Sequence, residues 1–186
     1  MLPRLETQQR LRLRRLKMAM ASYVMWVSIG IGAMVVGQLD IDREIMHFVL
    51  GGIVVTNLYF YVMIRTGLNK RLSDPSMTFQ QILVALCWAM VLMATTDEAR
   101  GAMLPVYIVT ILFGVFGLTP RAFVRLAFFA LASYGAVIGI EYSRAPSDFD
   151  LHQEALRSTV LAASLIWCTL FGSYVTQLKE ALKSRN

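Results

Sequence analysis

The chain has 186 residues, 56% of them hydrophobic and 16% charged, with a mean hydropathy of +0.56 and a formal net charge of +6. Soluble globular domains carry roughly 25% charged residues, so the composition excludes an ordinary soluble domain and points to an integral membrane protein. At about 20 residues per span, there is room for six membrane helices with short loops and none for a soluble catalytic domain.

Residues 1–17 carry Arg4, Arg10, Arg12, Arg14, Arg15 and Lys17 against a single Glu6, with Leu5, Leu11, Leu13 and Leu16 interleaved. This reads as a basic lead-in helix resting on anionic headgroups. No aromatic side chain interleaves the charges, so nucleic acid is not an expected partner. The apolar run 18–37 is too long for a signal-peptide core and ends without an A-x-A site, which makes it a first span. A short acidic loop, 38–44, leads to a second span at 45–64.

The connection 65–76 holds Arg65, Lys70 and Arg71 and closes on Ser73-Asp-Pro-Ser76, where Asp74 is expected to cap the next helix and Pro75 to occupy its first turn. A third span is expected at 77–94, an acidic turn at 95–101 and a fourth span at 102–118. Pro105 lies one turn inside that fourth helix, where it is tolerated. Thr119 and Pro120 read as the cap and first residue of a fifth helix spanning 121–140. A loop at 143–157, with Asp148, Asp150, His152 and Glu154, precedes a sixth span at 158–178. Cys87 and Cys168 fall within spans and read as buried free thiols.

Apart from Arg43, Arg100, Arg144 and Arg157, every Lys and Arg falls on the side of the two termini, which places both termini in the cytoplasm. The expected fold is all-α: an integral membrane bundle of six transmembrane helices whose last helix extends into a signalling helix or coiled coil. The segments are a lead-in helix at 1–17, a sensor bundle at 18–178 and the start of a cytoplasmic helix at 179–186.

Catalytic constellations are absent from the sequence. Gly51-Gly52 is followed by no Lys-Ser or Lys-Thr, and His47 and His152 are the only histidines, so neither a phosphate loop nor a metal centre is expected, and no cofactor. Polar residues recur instead at helical spacing: Tyr107, Thr110, Gly114 and Gly117 in one run, Gln81, Trp88 and Thr95 every seven residues, and Tyr134 and Glu141 likewise. Polar groups in hydrocarbon turn inward. His47, Asn57, Tyr61, Trp88, Tyr107, Thr110, Glu141 and Trp167 are therefore the candidate lining of an aromatic-walled cavity for a small apolar or amphipathic ligand, although the same residues can simply hold the bundle together. Gly135 and Gly139 form a GxxxG spacing that favours close helix packing.

The last apolar run passes into polar sequence with no Gly, Pro or Asn cap between Ser173 and Arg185, so its helix is expected to continue beyond the membrane toward an output domain in the same polypeptide. Phe171, Val175, Leu178 and Leu182 follow steps of 4, 3 and 4, the seam of a two-helix contact and hence of a homodimer. Arg185 takes the next seam position.

Four stretches together resemble a known family: Asp74-Pro-Ser-Met-Thr78 followed by Gln81, Glu98-Ala-Arg-Gly101, Leu112-Phe-Gly-Val-Phe-Gly-Leu118, and Tyr174-Val-Thr-Gln-Leu-Lys-Glu-Ala-Leu-Lys-Ser-Arg-Asn186. They are similar to the six-helix membrane sensor at the N-terminus of bacterial diguanylate cyclases. The resemblance implies a sixth helix that runs through a coiled coil into a cyclase domain with a GGDEF motif, which makes cyclic di-GMP from GTP as a dimer. This chain contains no GGDEF motif and no GTP or metal site, so it is not expected to be an enzyme itself. The resemblance points to a sensory, signal-transmitting domain in the bacterial inner membrane. The alternative is a small transporter or channel, motivated by the six spans and Glu141.

Overall fold

The structure, a computed structural model, describes residues 2–37, 39–96, 100–147 and 149–184. Gln38, Asp97, Glu98, Ala99, Asp148, Arg185 and Asn186, which the sequence reading assigned to loops, to a family motif or to the closing helix, lie outside the described residues. The elements are α1 (Leu2–Val35), α2 (Arg43–Thr66), α3 (Thr78–Met93), α4 (Arg100–Leu112), α5 (Pro120–Arg144) and α6 (Leu151–Ser184), with short 3-10 helices at Leu68–Arg71 and Phe113–Phe116. Among the described residues there is no strand, so the chain is all-helical.

Among the described residues, four helical stretches are long and apolar enough to cross a membrane: Thr7–Val35, Arg43–Thr66, Pro120–Arg144 and Leu151–Leu178. Exposed Val24, Ile29, Val54, Phe128, Val160 and Ile166 give them a surface compatible with lipid. The other two expected spans correspond to helices that are apolar but shorter. The 16 residues of α3 rise about 24 Å, against a hydrocarbon core of about 30 Å.

The chain divides into two compact units, Met1–Gln81 and Ile82–Asn186, with the boundary in the first turn of α3. In the first unit α1 packs on α2, and in the second α4 and α5 both pack on α6. Local chemistry sets several helix ends. Asp42 accepts a hydrogen bond from the Glu44 N–H at 2.7 Å and caps α2, whose far end closes on Gly67 in the left-handed conformation at φ 79°. Thr119 caps α5 with Pro120 in its first turn, as the sequence indicated.

Two helix starts differ from expectation. Asp74 does not cap α3. Its carboxylate takes the Ser76 N–H at 2.9 Å in a tight turn, Met77 adopts φ 54°, and the helix begins three residues after Pro75, at Thr78. The expected loop 143–157 ends early, because Asp150 accepts the Gln153 N–H at 3.0 Å and starts α6 at Leu151. His152 and Glu154 are thus helical. Cys168 is buried as expected, whereas Cys87 is exposed, and both are free thiols.

In the second unit each helix buries one stripe. On α4 it is Arg100, Leu104, Tyr107 and Ile111, continuing to Gly114. On α5 it is Phe123, Leu126, Ala130, Ser133, Tyr134 and Val137, and on α6 Glu154, Leu161, Leu165, Cys168 and Gly172. The close approach lies at Phe123. A Cβ on Gly172 would come within 2.5 Å of its ring, and one on Gly114 would meet Leu118 at 2.6 Å. Gly135 and Gly139, the expected packing motif, instead face open space within this chain. Gly172→Ala should therefore destabilise the purified protein by about 1–3 kcal/mol in chemical unfolding. Gly135→Ala, which shares the gain in helix propensity, should not, and an equal effect of the two would contradict this packing.

Candidate functional site

The feature of the second unit that demands an explanation is a charged cluster where α4, α5 and α6 meet. Arg100 stands seven residues before Tyr107, on the buried stripe of α4, and is 1% exposed. A guanidinium cannot shed its charge in a protein, so burial requires carboxylates. Two supply them. Arg100 forms an ion pair with Glu141 near the end of α5, and its Nη1 donates to Glu154 Oε1 in the first turn of α6 at 3.2 Å. Its Nε donates to the Met93 carbonyl oxygen, at the end of α3, at 3.4 Å.

Glu154, itself 5% exposed, is held from three sides. Besides Arg100, the Arg157 guanidinium donates to Oε1 at 2.5 Å, and the Tyr134 hydroxyl donates to Oε2 at 2.8 Å. Two arginines thus face two glutamates, leaving the cluster neutral. Buried pairs of this kind add little net stability over apolar residues of the same size, yet breaking one leaves a charge stranded. The physical role of such a cluster is to fix which turns of three helices lie opposite one another. A second polar contact further along, Tyr107 Oη with Ser133 Oγ at 3.3 Å, ties α4 to α5 in the same register.

Chemically the cluster is a clamp. Both Glu154 oxygens are engaged, and no group of three or more His, Cys, Asp or Glu suited to a metal occurs among the described residues. Glu141 is the accessible member, with 28% of its side chain exposed.

Comparison with known proteins finds no matching family model, curated protein or solved structure.

The residues singled out from the sequence fall in both units. In the first, His47 is exposed near the start of α2, Tyr61 is half-buried, and buried Asn57 donates to the carbonyl of Ile53 on its own helix at 2.8 Å. In the second, Tyr107 is fully buried against Ser133, Glu141 belongs to the clamp, and Trp88 and Thr110 are half-buried. Trp167 points outward, 59% exposed, and stacks on Phe171 with ring centroids 5.1 Å apart. Among the seam residues, Phe171, Leu178 and Leu182 are exposed and Val175 is half-buried.

Sequence reasoning missed Arg100, Glu154 and Arg157. The signal was present: Arg100 precedes buried Tyr107, and Glu154 precedes buried Leu161, by seven residues each. Replacing Glu154 with Ala should lower stability by about 3–5 kcal/mol, because Arg100 loses one of its two carboxylates and Tyr134 its acceptor. Glu141→Ala removes a partly exposed partner while Glu154 still holds Arg100, and should cost less. Denaturation of the two variants gives the order, and a reversed order would contradict the clamp.

Proposed function

We propose that the chain is a membrane-embedded sensory domain that transmits a signal along α6 to a cytoplasmic output. The observation that carries this reading is α6 itself. One uninterrupted helix joins the clamp at Glu154 to the exposed apolar seam of Phe171, Leu178 and Leu182. From Glu154 to Leu182 it rises about 42 Å, more than the thickness of a bilayer core. A helix of that length can be displaced as a unit by an ångström or two, so a small shift at one end reaches the other.

In this reading the stimulus is a small apolar or amphipathic molecule, or a state of the membrane, that alters how Arg100 is shared between Glu141 and Glu154. Glu141 is the member of the clamp such a molecule can reach. A ligand that drew Glu141 away from Arg100 would favour a second arrangement of the clamp and so bias the position of α6. The seam pairs with its equivalent in a second copy, giving a homodimer whose two outputs are brought together or apart. The sequence resemblance names a diguanylate cyclase as that output, and the cyclase's requirement for a dimer suits the seam.

The proposed setting is the bacterial inner membrane, with six spans and both termini cytoplasmic, an orientation supported by the placement of Lys and Arg. α3 and α4 are then short spans. With its 3-10 extension to Phe116, α4 rises about 28 Å, and a mismatch of a few ångström at α3 costs only fractions of a kcal/mol per Å. The transporter or channel reading rests on the six spans and on Glu141 as an ionisable group in hydrocarbon.

In a protein that carries this domain ahead of a diguanylate cyclase, two residues inserted after Gln177 turn the helix beyond them by about 200° and should change cyclic di-GMP production several-fold. Unchanged production would contradict transmission through α6. Flux through proteoliposomes of the chain, abolished by Glu141→Gln, would favour a transporter.

A further inference from the structure

A second site lies in the first unit, where α1 passes the end of α2. Gly67 turns the chain out of α2 into the 3-10 helix Leu68–Arg71, and Gln9 of α1 ties this corner down. The Gln9 Nε2 donates to the Ile64 carbonyl and to Asn69 Oδ1, each at 3.0 Å. Asn69, wholly buried, donates in turn to the Pro75 carbonyl at 2.6 Å. These bonds hold the walls of a cleft of about 190 Å³ lined by Gln9, Arg10, Leu13, Arg65, Gly67 and Lys70.

The lining is one-sided in charge. Among the described side chains, Arg10, Arg65 and Lys70 contribute three cations to the lining, no Asp or Glu joins them, and none of the three carries an ion pair. Lys70 folds back over the turn, so that a Cβ on Gly67 would touch its Cε at 3.7 Å. The carbonyl end of α2 would by itself disfavour an anion, but the Ile64 carbonyl already accepts from both Gln9 and the Gly67 N–H. The positive side chains therefore dominate the cleft. Its volume is below the roughly 300–1,000 Å³ of sites for drug-sized ligands, which suits a compact group.

We propose that this cleft binds a phosphate-bearing anion. Two guanidinium forks and one ammonium match the several acceptor oxygens of a phosphate. The cleft adjoins the end of a candidate membrane span, with exposed Leu11 and Leu68 nearby. A phosphate arrives at such a place either as the headgroup of an anionic lipid or as a free phosphate compound, and the same cations serve both.

The test is native mass spectrometry of the full chain in detergent, titrated with phosphatidylglycerol, with phosphatidylcholine and, separately, with inorganic phosphate. Phosphatidylglycerol should be retained in preference to phosphatidylcholine. Arg65→Gln and Lys70→Gln should each weaken its retention roughly fivefold, whereas Lys70→Arg should keep it. Arg71→Gln, adjacent but outside the lining, should leave it unchanged. Binding of inorganic phosphate with the same dependence on Arg65 and Lys70, and no preference between the lipids, would support the site and assign it to a free phosphate compound. All these side chains are exposed, so the variants should keep their helical circular dichroism, with Arg10→Gln replacing any that does not. Binding of either probe that ignores Arg65 and Lys70, no binding of either, or an equal loss in Arg71→Gln would overturn the proposal.

Discussion

A buried guanidinium that cannot be neutralised must be given carboxylates, and the second unit of this chain is arranged around that requirement. Arg100 draws Glu141 from α5 and Glu154 from α6 to the first turn of α4, and Glu154 in turn engages Tyr134 and Arg157. The attraction is strong where water is scarce, but its main consequence is geometric. Hydrophobic stripes can slide past one another by a turn with little loss of buried area, whereas a fork between two carboxylates tolerates no such slip.

Packing completes what the clamp begins. Phe123 of α5 lies against Gly172 of α6 and near Gly114 beyond α4, so two glycines let three segments approach closely at the end of the bundle away from Arg100. Between these points Tyr107 meets Ser133. α6 is thus held polar at one end and sterically at the other. Beyond Gly172 only part of its surface is covered: the Thr176 hydroxyl lies 3.4 Å from the Leu118 carbonyl, whereas Leu178 and Leu182 are exposed.

The parts of the fold that could be read from sequence are those whose causes are local. Thr119 and Pro120 set the start of α5 because a cap needs only the next three residues. The apolar runs announced the long helices because span length is a property of one segment. Asp74 had the right composition for a cap but bonded to Ser76, and nothing in the sequence arbitrates between two equally short reaches. The clamp was illegible for the opposite reason: Arg100 and Glu154 are separated by 54 residues, and their pairing follows only once the helices are packed. Glu141 stood out as an ionisable group near a span end, while its partner was passed over as a loop arginine. Trp167 was placed inside on polarity alone, but its indole stacks on Phe171 along the outer face of α6.

In the proposed transmission, the clamp at Glu154 governs the seam at Leu182. Spin labels on Leu182→Cys in two copies of the chain, with the exposed thiol Cys87 replaced by Ala, would report the distance across the seam by pulsed electron resonance in a reconstituted bilayer. Glu154→Gln, which removes one clamp charge and keeps the side chain's shape, should shift that distance distribution. A resolved dimer distance that is the same in both proteins would contradict it.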